Sequence, residues 1–206
     1  MTEFYTDAVK ELKNIYDNLN KNYYDNELPE VVITIQSSPK GKSYGWYAKD
    51  RWGVETDKEK AFDEINISAE YLSRPIENIV STMQHEMVHL YCAVNDIKDT
   101  SNNNVYHNKK FKEEAEKRGL SIEKAQTIGW SVTTPTEEFI KYIKDLNITD
   151  DAFKFFRKIP LGKEKTKKTT KKTTKYTCSC CEASVRGEPD LKIECKKCGV
   201  LMESKH

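Results

Sequence analysis

The chain has 206 residues, of which 37% are hydrophobic and 33% are charged, and its mean hydropathy is −0.78. This length suits one ordinary domain with a small appendage, and no stretch approaches the ~18 consecutive apolar residues of a membrane span. The formal net charge of +1 hides an asymmetry: residues 1–160 carry 22 basic against 27 acidic side chains, whereas residues 161–206 carry 12 against 6.

The N-terminal segment lacks the basic and apolar regions of a secretory signal, so we expect a cytoplasmic protein. In a reducing compartment the six cysteines are better explained as metal ligands than as disulfides. We further expect a monomer that makes no contact with a membrane.

The first predicted element is a helix over residues 4–23, where apolar side chains recur at spacings of three and four. Three strands are predicted next, from a β-branched run, an aromatic segment and an alternating segment. These strands cover residues 31–35, 43–48 and 62–68.

A long helix is predicted at 76–94, because Ser73 and Pro75 provide a start signal just before it. A polar loop is expected at 95–104, and further helices at 108–118, 136–146 and 150–158. The order of one helix, three strands and then helices predicts an α+β fold with a small mixed or antiparallel sheet.

The long helix contains the sequence His85-Glu86-Met87-Val88-His89. Residues four apart project from one face of a helix, so the two imidazoles can hold one zinc ion together. Glu86 lies about 100° around the axis, beside the metal, where its carboxylate can accept a proton from a water molecule that the metal activates.

A catalytic zinc site needs a third protein ligand and an open position. His107 is the best-placed candidate, since His206 is the last residue of the chain. Cys92, two turns from His85, is better explained as a buried free thiol. The remaining rivals are carboxylates of the following helix: Glu113, Glu114 and Glu116.

Residues 163–175 comprise seven Lys, five Thr and one Glu, a composition typical of a solvated linker. Beyond this segment lie two Cys-x-x-Cys pairs, which predict a structural zinc site with four thiolate ligands. The ligands are Cys178, Cys181, Cys195 and Cys198. Cys180 fits neither pair, so we interpret it as a spare. A unit of this size folds only with its metal.

These residues together resemble the SprT-like zinc metalloprotease family, which includes the Spartan-type DNA–protein crosslink proteases. The resemblance covers about half the chain, from Tyr23 to Leu120, plus the cysteine tail. Besides the histidine motif, it rests on four further segments: Tyr24-x-x-x-x-Leu28-Pro29, Ser43-Tyr44-Gly45-Trp46-Tyr47, Glu64-Ile65-Asn66-Ile67-Ser68 and His107-x-x-x-Phe111.

The resemblance implies a zincin-type active-site helix, with His85, His89 and His107 as zinc ligands and Glu86 as the general base. Asn108 stands where the signature of that family has Gly, and we expect it to be tolerated because Asn adopts unusual backbone angles readily. The tail is similar to the zinc ribbon of the family, although Glu182 replaces the usual Gly of the first knuckle. The domains are then a protease domain at 1–160, a linker at 161–175 and a ribbon at 176–206.

Several aromatic side chains are candidates for the substrate cleft or for core packing. Trp46, Tyr47 and Trp52 lie in or after an edge-like strand that is suited to pair with an extended substrate. Tyr106 is a candidate second donor to the oxyanion, although packing is the better explanation of this residue.

The leading hypothesis is a zinc metalloendopeptidase with one catalytic and one structural zinc ion, acting on protein substrates. The basic tail predicts contact with single-stranded or distorted DNA through Lys163 to Lys175 together with Lys192, Lys196 and Lys197. Two alternatives remain open: a nucleic-acid-binding adaptor with purely structural zinc sites, and a metalloprotease that acts on free proteins without DNA.

Overall fold

The computed structural model describes residues 3–38, 43–102, 104–158 and 173–205. They fall into two units, one within Met1–Ile159 and one within Pro160–His206. Most of the predicted linker, 161–172, lies outside the described residues. Within the described ranges, no helix is both long and apolar enough to cross a membrane.

The first unit opens with helix α1 (Glu3–Tyr23) and a sheet of three strands, β1 (Val32–Thr34), β2 (Gly45–Val54) and β3 (Asp57–Ile67). The strand order is β1-β3-β2, with β1 parallel and β2 antiparallel to β3. The helix and the three strands lie where the sequence predicts them, but β2 and β3 extend beyond the predicted ends into a hairpin whose side chains are mostly exposed. Strand β2 is an edge strand.

Helix α2 (Ile76–Val94) runs through the middle of the unit, and most of its side chains are buried. Its apolar residues pack against the inner face of α1 and against Ile65 and Ile67 of β3. The buried Gln84 is hydrogen-bonded through both its nitrogen and its oxygen, since its amide donates to the carbonyl of Arg118 and its oxygen accepts from the hydroxyl of Tyr24. The helix that carries the histidine motif is therefore fixed on several sides.

A second sheet follows, and the sequence reasoning missed it. It comprises β4 (Thr100–Ser101), β5 (Tyr106–His107), β6 (Leu120–Ala125) and β7 (Gly129–Pro135), in the order β4-β5-β7-β6. Helix α3 (Lys109–Glu116) lies between β5 and β6 in the chain, and helix α4 (Glu137–Asp145) follows β7.

The predicted helix at 150–158 is wrong, because the structure has only a 3-10 turn at Asp150–Phe153. Ala152 and Phe153 are buried in the core. Beyond them the chain leaves the helical path, since the amide of Arg157 donates to the carbonyl oxygen of Ala69 at 2.9 Å and its guanidinium donates to Ser37.

The second unit contains two small antiparallel sheets. Strands β8 (Thr174–Thr177), β9 (Ser184–Gly187) and β12 (Glu203–Lys205) form one sheet in the order β12-β8-β9, and β10 (Glu194–Cys195) pairs with β11 (Val200–Leu201). Strand β8 begins inside the segment predicted as linker. The α+β class predicted from the sequence is confirmed.

Candidate metal centre

Three imidazole rings meet at one point between α2 and β5. The Nε2 atom of His107 lies 3.0 Å from Nε2 of His89 and 3.3 Å from Nε2 of His85. His85 and His89 are one helical turn apart on α2, and strand pairing of β5 with β7 fixes His107 beside them. The structure thus brings together the three histidines that the sequence reasoning singled out.

The outer nitrogen of each ring has its own hydrogen-bond partner. Nδ1 of His89 lies 2.5 Å from Oδ2 of Asp99, and Nδ1 of His85 lies 2.8 Å from Oγ1 of Thr133. Nδ1 of His107 donates to the carbonyl oxygen of Ile128 at 3.3 Å. Sequence reasoning missed Asp99 and Thr133, although the rule that a zinc-binding histidine needs a partner for its other nitrogen gives reason to look for them.

These hydrogen-bond partners decide whether an inner nitrogen carries a proton or a lone pair. A carboxylate and a carbonyl oxygen only accept hydrogen bonds, so the neutral rings of His89 and His107 carry their protons on Nδ1. Their Nε2 lone pairs therefore face each other across 3.0 Å. Two opposed lone pairs repel, and a cation between them removes that repulsion.

The spacing also fits zinc. Two nitrogen ligands that bind one tetrahedral zinc ion at ~2.05 Å lie about 3.3 Å apart. Burial, with His89 as the next cause, lowers the pKa of His107 to about 4, and burial lowers the pKa of His85 well below its usual value. Both rings are therefore neutral near pH 7, which is the form that binds a metal.

Phe111 of α3 forms the floor of this centre. Its ring centroid lies 4.6 Å from the centroid of each of the three imidazoles, and its side chain is fully buried. This apolar ring excludes water from one side of the three imidazoles and limits the orientations that they can adopt.

Asn108 positions both His107 and Phe111, but in a different way from the one expected. Its φ of −94° is in the extended region, so it does not need the unusual backbone angles that Asn tolerates. Instead, its side-chain oxygen caps α3 by accepting from the amides of Lys110 and Phe111, and its side-chain amide donates to the carbonyl of Lys98.

Glu86 lies beside the three histidines, and only 6% of its surface is exposed. Burial raises the pKa of its carboxyl to about 7, while His89 and the backbone N–H of Tyr47 oppose that rise. Gly45 makes room for it, because a Cβ atom there would lie 3.3 Å from Oε1 of Glu86 and 2.7 Å from the carbonyl oxygen of Asn66. A carboxyl group with a pKa near neutrality is suited to proton transfer.

The three histidines and Glu86 line an open cleft of about 1100 Å³. Trp46 and Tyr47 of the edge strand β2 line it too. Trp52 instead lies opposite Phe62 in the hairpin and is 43% exposed. Tyr106 packs against Gly129 rather than lining this cleft.

The rival ligands lie elsewhere. Glu114 is paired with Arg118 and Lys117, and Glu116 with Lys112, while Glu113 is exposed on α3. Cys92 is fully buried in the core, where burial raises the pKa of its thiol to about 12. His206 lies outside the described residues.

The second unit has its own cluster, in which four sulfur atoms lie within 4.8 Å of one another. They belong to Cys178, Cys181, Cys195 and Cys198. Amides of the first knuckle lower the pKa of Cys178 to about 7, whereas neighbouring sulfurs raise the pKa of Cys198. Clustered thiols oppose one another's ionisation, and a divalent cation removes that opposition.

Both knuckles place their next residue in the left-handed backbone region. Gly199 has a φ of +65°, and Glu182 has a φ of +58° although it carries a side chain. Gly199 donates its amide to the carbonyl of Cys195, and Glu182 donates to the carbonyl of Cys178. The two turns therefore share one geometry despite their different sequences. Cys180 is exposed and lies outside the set of four.

The comparison with protein families gives one match, a family model described as the SprT-like family, over residues 12–128. This range is more than half of the chain and contains all three histidines and Glu86. No curated protein and no solved structure matches the chain significantly.

Proposed function

The chain belongs to the SprT-like family, and from this premise we propose that it is a zinc metalloendopeptidase that cleaves protein substrates, including proteins bound to DNA. Membership supports a zinc-dependent peptidase at the level of the family. The observation that carries the proposal is the convergence of three Nε2 atoms beside the buried Glu86 in an open cleft.

His85, His89 and His107 hold the catalytic zinc ion in this proposal, and the four clustered cysteines hold a structural one. A zinc ion in the first site supplies a Lewis acid that activates water and polarises a carbonyl group. Asp99, Thr133 and the carbonyl of Ile128 orient the three imidazoles.

Glu86 acts as the general base. It accepts a proton from the attacking water and then delivers that proton to the leaving amine. Burial raises the pKa of the Glu86 carboxyl above its usual value, towards the range in which one group can both accept and deliver a proton.

Strand β2 binds the substrate in this proposal. It is the edge strand of its sheet and lines the cleft through Trp46 and Tyr47. An extended peptide can pair with the backbone groups of such an edge, which places its scissile bond over the histidines. Pairing through the backbone suits an endopeptidase with broad sequence tolerance.

The basic tail directs the enzyme to DNA. Lys192, Lys196 and Lys197 are exposed on the ribbon, and residues 161–206 carry 12 basic against 6 acidic side chains. Such a surface binds phosphate backbones without reading their sequence.

The deciding experiment compares wild-type protein with Glu86→Gln on unfolded protein substrates, after the zinc content of each has been measured. We expect Glu86→Gln to keep two zinc ions and its fold but to lose cleavage by about 10²–10⁴-fold, because an amide cannot accept the proton. Glu77→Gln, on the same helix, is the matched control and should cleave normally. Equal cleavage by wild type and Glu86→Gln would contradict the proposal, and an inactive wild type with two zinc ions would favour a nucleic-acid-binding adaptor.

A further inference from the structure

Arg74 lies just before α2, and three uncharged groups hold its guanidinium in the wall of the cleft. Nε donates to the carbonyl oxygen of Tyr71 at 3.0 Å, and an Nη atom donates to Oγ1 of Thr82 at 3.0 Å. The guanidinium carbon also lies 4.1 Å from the centre of the Tyr44 ring. The orientation of this cation is therefore fixed before any ligand arrives.

The guanidinium lines the same cleft as the proposed general base. Thr82 precedes Glu86 by one helical turn, and Arg74, Thr82 and Glu86 line the same cleft. A Cβ atom on Gly45 would lie 2.8 Å from Cγ2 of Thr82 and 3.3 Å from Oε1 of Glu86, so the side chains of Thr82 and Glu86 both lie next to Gly45.

The charge of Arg74 has no anionic partner in the described part of the chain, where every ion pair involves other residues. Burial lowers the pKa of Arg74 below its usual value, and only the nearby Tyr44 and Tyr71 oppose that change.

Arg118 provides the comparison within the same protein. It is buried, whereas Arg74 is half-buried, and it stacks on Tyr91 at 3.8 Å and forms an ion pair with Glu114 at 2.7 Å. Buried guanidinium groups are normally paired in this way, because removing a lone charge from water is costly. Arg74 instead faces a cleft that is open to ligands.

We propose that Arg74 forms a subsite that binds a carboxylate group of the peptide substrate. Two of its five N–H donors are in use, and the rest can form charge-assisted hydrogen bonds with a carboxylate. This inference rests on the proposed peptidase function and adds a specificity to it.

The position of the subsite limits where the carboxylate lies in the substrate. One helical turn spans ~5.4 Å, and an extended peptide advances ~3.3 Å per residue. The carboxylate therefore lies one or two residues from the scissile bond, in the direction that runs from Glu86 towards Thr82 and Gly45. Its source is the side chain of Asp or Glu, because an endopeptidase cleaves away from the free C-terminus of its substrate.

The test uses fluorogenic peptides in matched pairs that differ only by Glu or Gln at one position within three residues of the cleaved bond. For wild type we expect a kcat/KM ratio of about 10 to 100 in favour of the carboxylate at one position. Arg74→Gln should bring that ratio close to one, and Arg74→Lys should keep part of it, because the charge remains.

Lys58→Gln is the matched control, since Lys58 is exposed on the hairpin and does not line the cleft. It should leave the ratio at the wild-type value. A merely structural role of Arg74 would lower cleavage of both peptides of a pair equally and leave their ratio unchanged. An unchanged ratio in Arg74→Gln, or equal cleavage of Glu and Gln peptides by wild type, overturns the subsite while leaving the proposed peptidase function intact.

Binding of the same peptides to zinc-loaded Glu86→Gln protein, measured by fluorescence anisotropy, separates the subsite from the proposed function. If wild type cleaves nothing, tighter binding of the carboxylate peptides that disappears with Arg74→Gln upholds the subsite alone. Equal binding of both peptides overturns it. Loss of oligonucleotide binding in Arg74→Gln, with the peptide ratio unchanged, would assign Arg74 to a DNA phosphate and overturn the proposal.

Discussion

Asp99 accepts a hydrogen bond from the outer nitrogen of His89, with 2.5 Å between Oδ2 and Nδ1. The carboxylate favours the tautomer with the proton on that nitrogen, and in that tautomer the inner nitrogen presents a lone pair to His107. Asp99 itself is held from two sides, since its carbonyl oxygen accepts the amide of Asn108 and its side chain accepts the hydroxyl of Thr100.

The first prediction concerns this pair. Asp99→Asn should weaken zinc binding at the histidine centre by about 10- to 100-fold, because an amide fixes the imidazole less firmly and lowers its basicity. Competition with a chelator of known affinity measures the change. Asp96→Asn, an exposed position of the same loop, is the control and should bind zinc normally. Unchanged affinity in Asp99→Asn would show that the carboxylate does not support His89.

The sequence predicts the helix of the histidine motif at roughly 76–94, and α2 spans Ile76–Val94. The prediction succeeds because apolar periodicity and a start signal agree there. Asp99 was not identified, because nothing in a polar loop marks which of its acidic side chains points at a metal ligand. That choice depends on how the loop folds back to pair β4 with β5.

The second sheet shows which strands sequence reasoning can find. Strand β7 has a visible signal, since Trp130-Ser-Val-Thr-Thr is rich in aromatic and β-branched residues and lies between Gly129 and Pro135. Strand β6 has only two buried apolar residues, Leu120 and Ile122, and β5 has two residues in all. Such short strands form through pairing with neighbours rather than through their own propensity.

The second prediction concerns the N-cap of α3. Asn108→Ala should destabilise the first unit by about 1 kcal/mol, because two amides of the helix lose their acceptor. Asn108→Ser is the matched control, since a serine hydroxyl can also cap the helix, and it should destabilise the first unit by less than Asn108→Ala. Urea denaturation followed by circular dichroism measures both. Equal costs for Ala and Ser would mean that the bond to the carbonyl of Lys98, not the cap, is what matters.

The third prediction concerns the two knuckles of the ribbon. Gly199→Ala should destabilise the folded ribbon by about 1–2 kcal/mol, because alanine is strained in the left-handed region. No atom lies within 4 Å of the added Cβ, so the effect is one of backbone alone. Glu182→Gly should instead stabilise the ribbon, whereas Glu182→Ala should leave its stability nearly unchanged.

Zinc binding of the ribbon reports these changes, because metal binding and folding are coupled in such a unit. We expect Gly199→Ala to lower its zinc affinity by about 5- to 30-fold, given that ~1.4 kcal/mol corresponds to a factor of ten. Chelation should unfold the ribbon before it affects the helices of the first unit. A ribbon that stays folded after its zinc has been removed would contradict the structural role of the metal.

The last prediction concerns DNA. The acidic first unit, with 22 basic against 27 acidic side chains in residues 1–160, repels phosphate on average. The attraction must then come from the tail, through Lys163 to Lys175 and the exposed Lys192, Lys196 and Lys197. If the tail neutralises about four phosphates, the slope of log affinity against log salt should be near −3 on single strands and near −4 on duplex.

The measurement is a titration of labelled single-stranded and duplex DNA at two salt concentrations. Protein that lacks residues 161–206 should lose binding yet keep the zinc ion of the histidine centre. Changing Lys192, Lys196 and Lys197 together to Gln should reduce the slope by up to about three, since each lysine removes at most one phosphate contact.

Equal binding by full-length and tail-less protein would move the DNA site to the first unit, where Trp46 and the exposed Trp52 offer aromatic rings on which unpaired bases can stack. Absence of binding by either protein would instead favour a protease that acts on free proteins.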